Sequence, residues 1–255
     1  DEDWDQAKQS WLASMQGVRG MSMILYAGQE DDPVYSNIFG IVDVDDAERY
    51  LESYRKSIKA WNELFVRSTG DIKFKYEVSD VEIVGRKGLA LKTDLLDMLG
   101  PQDNLQFMKP MFEKMFGPEG VMRIYLVPVD EQQVVFGIAG KEAMVPVLER
   151  VAAGETSLAD AAAVATTQAL LDEQAPWRGF INPGGVVQWV VRWAEAFGTM
   201  MGGRSPLPEI PAFPQSPPLG LSAKIEGAVV AADLVCPGAT LQALSDYIQT
   251  IQHDD

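Results

Sequence analysis

Four times along this chain an apolar run ends at a polar or glycine cap and enters an amphipathic helical stretch: residues 38–43, 135–140, 179–184 and 232–237. Strands that feed helices while also pairing with their sequence neighbours admit few architectures, because each element must bury one face against another layer. Paired apolar runs split by turn-forming residues read as antiparallel hairpins. Four such pairs are visible: 21–27 with 34–44 across 28–33, 81–84 with 89–95 across Gly85-Arg86-Lys87-Gly88, 121–129 with 134–139, and 219–226 with 228–236. Residues 72–78 alternate Ile/Lys/Phe/Lys/Tyr/Glu/Val, the pattern of a separate half-buried strand. Residues 177–181 read as a short strand.

Helical periodicity fills the rest. Residues 3–16 place Trp4, Ala7, Trp11 and Met15 on one stripe, and Asp45 or Asp46 caps a helix to about residue 65 with Tyr50, Leu51, Tyr54, Ile58, Trp61 and Leu64 in line. Further helices are expected at 104–116, 141–153, 157–174, 185–201 and 240–252. The expectation is an α+β fold, with a mostly antiparallel sheet and helices packed largely on one face. The fourfold echo suggests an internal duplication into strand–helix–hairpin–helix halves; alternatively, strand–helix order recurs by chance in an α+β chain. The domains expected are an N-terminal helix over 1–19, a first half over 20–156 and a second over 157–255, or one continuous domain.

The formal charge is −16, from 37 acidic and 21 basic residues, and no Lys/Arg run longer than a pair offsets it. That sign repels nucleic acid and anionic lipid, so neither is an expected partner. No apolar run reaches the ~18 residues that a membrane span requires; the longest candidate, 184–201, is interrupted by Gln188, Arg192 and Glu195. The first residue is Asp1 rather than Met, read here as the trace of a removed signal peptide or of trimming, with an exported protein as the expectation. A single Cys236 excludes an internal disulfide and leaves the compartment open.

The same inventory excludes most catalysis. The one histidine, His253, sits near the chain end, where no base is held rigidly against a nucleophile. Two His/Cys residues cannot furnish a zinc site, and no glycine-rich phosphate loop is present. No cofactor is expected. Carboxylates remain: Asp43, Asp45, Asp46 and Glu48 cluster where a strand becomes a helix. They suit helix capping and solvation, and they are the candidates for a hard cation, which needs only oxygen ligands. Two carboxylates could also hydrolyse glycans.

Two segments suit a partner or ligand. The Met-rich helix carries Met108, Met111, Met115 and Phe112, residues that serve irregular cores and adaptable surfaces alike. Pro208, Pro211, Pro214 and Pro217 recur every third residue, which aligns them on one face of a polyproline II rod, either a rigid crossover or a docking strip. Pro217-Pro218-Leu219-Gly220-Leu221-Ser222-Ala223 followed by Ala231-Ala232-Asp233-Leu234-Val235-Cys236-Pro237 resembles a family of exported proteins of planctomycete-type bacteria. The resemblance implies export and assigns no functional residue. The reading is a non-catalytic exported binding or scaffolding domain for a protein or small-molecule ligand. Its rivals are a carboxylate-dependent glycan hydrolase and an apolar-ligand carrier with a cavity of ~300 Å³ or more beside the Met-rich helix.

Overall fold

A computed structural model describes residues 2–25, 28, 32–68, 75–98, 108–117, 120–155, 161–200, 210–226 and 229–253. The chain divides into two compact units, Asp1–Gly154 with Glu195–Arg204, and Glu155–Ala194 with Ser205–Asp255. The architecture is α+β, with a six-stranded antiparallel sheet in the first unit and a three-stranded one in the second.

In the first unit, helix α1 (Glu2–Met15) leads through a two-residue turn into β1 (Val18–Leu25), which pairs with β2 (Ile38–Val44). Helix α2 (Ala47–Ser68) follows, then the hairpin β3 (Glu77–Ile83) and β4 (Arg86–Asp94), the short helices α3 (Leu95–Met98) and α4 (Lys109–Phe116), the hairpin β5 (Val121–Pro128) and β6 (Gln133–Ile138), and α5 (Lys141–Ala153). The strand order is β1-β2-β6-β5-β4-β3, so β6 and β5 are central and β1 and β3 form the edges.

Side chains alternate between the two faces of a strand, and here both faces are apolar and covered. Phe39, Ile83, Tyr125, Val127 and Val135 pack on Met144 and Leu148 of α5. Val42, Val44, Leu89, Leu91, Leu126 and Val134 pack on Ala47 and Tyr50 of α2. The expectation of helices largely on one face therefore does not describe this sheet. Consecutive apolar pairs such as Leu126-Val127 and Val134-Val135 need cover on both sides. Gly137 leaves room for that cover, since a Cβ there would lie 2.4 Å from the Met144 sulfur.

Two local readings are corrected. One continuous strand, β3, replaces the expected separate strands at 72–78 and 81–84, although residues 72–74 lie outside the described ones. Its turn is Val84-Gly85, with φ of 48° and 72°, rather than the tetrad 85–88. Positive φ at both central residues matches the right-handed twist of the flanking strands. Gly88 instead lies in β4, where a Cβ would meet the Leu126 carbonyl oxygen at 2.3 Å.

The second unit holds α6 (Ala162–Gln168), β7 (Trp177–Ile181), α7 (Pro183–Met200, whose last residues count with the first unit), β8 (Leu219–Glu226), β9 (Val229–Val235) and α8 (Gly238–His253). Helix α6 is shorter than the expected 157–174: residues 169–174 form turns, and 157–160 lie outside the described residues. The sheet order is β7-β8-β9, antiparallel throughout. Gly220 and Ser222 are buried on one face, where a Cβ on Gly220 would touch Thr167 and Leu171.

Candidate functional site

The acidic cluster lies at the strand-to-helix junction from β2 to α2, and each carboxylate but Glu48 has a partner of its own. Asp43 accepts a hydrogen bond from the Gln133 amide at 3.0 Å. Asp45 faces the guanidinium groups of Arg19 at 3.7 Å and Arg49 at 3.9 Å. Asp46 accepts the Arg49 backbone N–H at 2.9 Å, which makes it the N-cap of α2. Glu48 is exposed in the first turn, where a negative charge complements the helix dipole. Among the described residues no group of three or more His, Cys, Asp or Glu side chains could hold a metal ion. Of Asp43, Asp45, Asp46 and Glu48, the first three are thus engaged in a side-chain hydrogen bond, ion pairing and helix capping, the roles that the sequence also suits.

Three of these acids, Asp45, Asp46 and Glu48, do line a shallow groove of about 820 Å³ at this end of the sheet. Glu52, Asp80, Asp130 and Glu131 join them there, against Arg55, Arg86 and Lys87. Two of these cations serve the fold: Arg55 pairs with Asp80, and Arg86 donates to the Val129 carbonyl. Asp130 accepts the backbone N–H groups of Gln132 and Gln133 at 2.7 and 2.8 Å, which closes the β5–β6 turn.

The Met-rich helix is mostly core. Met111 and Met115 are buried, whereas Met108 and Phe112 are half-buried. The helix end is tied down by backbone N–H groups of Val34 and Tyr35, which donate to the carbonyls of Lys114 and Met115 at 3.0 and 2.8 Å. Tyr35 stacks on Phe116 with centroids 5.2 Å apart. Met111 and Met115 thus present no surface to a ligand. Residues 104–107, the expected start of this helix, lie outside the described ones. A cavity of about 290 Å³ adjoins the helix end, with a mixed lining in which Phe116, Val121, Met122 and Ile138 stand beside Asp32, Asn37, Arg123 and Glu142.

The proline rod is gripped from within the second unit. The Tyr247 hydroxyl donates to the Pro211 carbonyl at 2.9 Å, the Thr240 hydroxyl to the Pro217 carbonyl at 2.7 Å, and the Thr167 hydroxyl to the Pro218 carbonyl at 2.8 Å. Phe213 packs its ring on Tyr247 at 4.9 Å. Pro211 and Pro217 therefore belong to a strut along α8; Pro214 is exposed, and Pro208 lies outside the described residues.

Sequence reasoning missed an exposed apolar surface in the second unit. Helix α6 lies on the Gly220 and Ser222 face of the small sheet, anchored also by a Lys224–Asp172 ion pair at 2.8 Å. That pairing holds the Asp172 carboxyl below the usual range, helped by the Gln174 backbone N–H. The opposite face follows from the register: Trp177, Ala223 and Ala232 stand in one row, and Gly179, Leu221 and Leu234 in the next, with Val230 beyond. Trp177 is 53% exposed, and Val230 and Leu234 are each 68% exposed. No charged side chain stands in these rows. The signal was present in β9, whose valines and leucine occupy both strand faces instead of alternating with polar residues. Cys236, half-buried just past β9, is a free thiol. No helix among the described residues is long and apolar enough to cross a membrane. The chain matches no family model, no curated protein and no solved structure.

Proposed function

We propose that the protein is a non-catalytic exported binding domain that takes an extended apolar segment of a protein partner on the open face and free edge of the β7-β8-β9 sheet. The observation that carries this reading is the uncharged row structure of that face, with Val230 and Leu234 each 68% exposed in a chain of net charge −16. Burying one such side chain contributes roughly 1.5–3 kcal/mol, and contiguous apolar patches on an otherwise charged surface mark interaction sites. No strand among the described residues pairs with the outer edge of β9, the kind of edge to which an extended segment can add. Export rests on the resemblance of residues 217–223 and 231–237.

The test is site-specific photocrosslinking from position 234 in the exported fraction of the source cells, with position 149 on the exposed side of α5 as control. A discrete partner that crosslinks from 234, is absent from 149, and is lost in a Val230→Asp variant supports the reading. Equal crosslinking from both positions removes it.

A further inference from the structure

The two edges of the six-stranded sheet obey different rules. β3 carries Glu77, Asp80 and Glu82, all exposed, and charged side chains on an edge strand keep other strands from pairing with it. β1 has no such guard. Met21 and Met23 are each 64% exposed, Ile24 and Leu25 are exposed beside them, and none is charged. From Gln9 to Leu25 the one charge is Arg19, and its guanidinium turns back to the Val44 carbonyl at 2.7 Å and to Asp45.

Helix α1 extends this surface. Ala7 and Ser14 are buried, but Trp4, Trp11, Leu12 and Met15 remain between 41% and 51% exposed. The register sets Met21, Met23 and Leu25 opposite Val42, Gly40 and Ile38, on the face that α2 covers. α1 lies on α2, with Trp4 against Trp61 at 5.6 Å. Helix stripe and strand side chains therefore occupy the same side of the sheet.

We propose that β1 pairs antiparallel with β1 of a second copy of this chain, joining two six-stranded sheets about a two-fold axis, with the two α1 helices meeting on one side. An antiparallel pair of identical strands is self-complementary, as an isologous interface requires. The exposed fractions of these side chains correspond to about 600 Å² of apolar surface per copy. The backbone edge of the strand adds to that area, bringing it close to the ~800 Å² per partner of specific interfaces. Charge favours the same occupant: net repulsion between two chains of −16 is least where carboxylates are absent, and residues 9–25 carry none, although Asp3 and Asp5 flank Trp4 at the far end of α1.

The residues differ from those of the partner face in the second unit, so either idea can fail alone. The experiment is sedimentation velocity of the full chain with amide hydrogen exchange on β1. A species of twice 28.0 kDa at about 10 μM is expected. The double variant Met21→Lys/Met23→Lys should weaken it at least tenfold and unprotect the β1 amides, with the far-ultraviolet dichroism unchanged. Glu82→Ala on the opposite edge and Val230→Asp on the partner face should leave the dimer intact. A monomer throughout the range to about 100 μM overturns the proposal, as does a dimer in which β1 amides exchange freely or that the lysines leave unchanged.

Discussion

Val84 is the one non-glycine residue with positive φ among those described, and it is β-branched, the side-chain class least suited to that region. A left-handed conformation costs an L-residue roughly 1–2 kcal/mol, whereas Asn at the first central position of such a turn is favoured. Val84→Asn is therefore expected to stabilise the protein by about 1 kcal/mol, read as a higher urea midpoint at unchanged slope; no shift would place the turn elsewhere. The neighbouring glycines explain why this turn was misread. Gly85 has open space around its Cα and serves the turn, but Gly88 is small because the Leu126 carbonyl lies against it. A sequence shows two glycines three positions apart and cannot say which one bends the chain. Asp46 was legible, since an aspartate before an amphipathic run caps by purely local geometry.

At the scale of elements, the tyrosines on α2 show how burial becomes a pH dependence. Burial, reinforced by the neighbouring Tyr54 at 5.9 Å, pushes the Tyr50 phenol up to about 12. A raised folded-state pKa favours the protonated form in the fold. Its contribution is complete below the ordinary value of 10.0 and is lost as pH rises from there toward 12. The unfolding free energy should fall by up to about 2 kcal/mol across that window, and Tyr50→Phe should flatten part of the decline while leaving stability at pH 7 nearly unchanged. An equally steep decline in the variant would assign the effect to other groups. The stripe of α2 was readable because its apolar spacing matches the face it buries. The stripe of α1 was not, because the small residues Ala7 and Ser14 set its contact with α2 and leave Trp11 and Met15 half out of the core.

Across the whole molecule, the −16 charge acts on every element at once. Like charges repel in the compact state, and salt shortens their reach to about 10 Å at 0.1 M. The melting temperature should therefore rise by a few degrees between about 10 and 300 mM NaCl, as measured by calorimetry, and a fall would contradict net self-repulsion. The same charge disfavours close contact with another acidic chain through carboxylate-rich surfaces. In this protein uncharged apolar side chains gather on the β1 edge of the first unit and on one face of the small sheet of the second.

The sequence by itself determined the α+β class, most hairpins and helices, and the cap of α2, since all of these follow from local spacing. Tertiary structure alone decided the cover on both faces of the large sheet, the grip on the proline strut, and the burial of Met111 and Met115. It also decided which apolar strands lie at an edge. Each of these depends on contacts between residues far apart in the chain, such as Tyr247 with Pro211 at 36 positions' separation. β1 and β6 are both apolar as sequences; β6 lies between two strands and β1 does not. Only the strand order makes one of them core and the other an open edge.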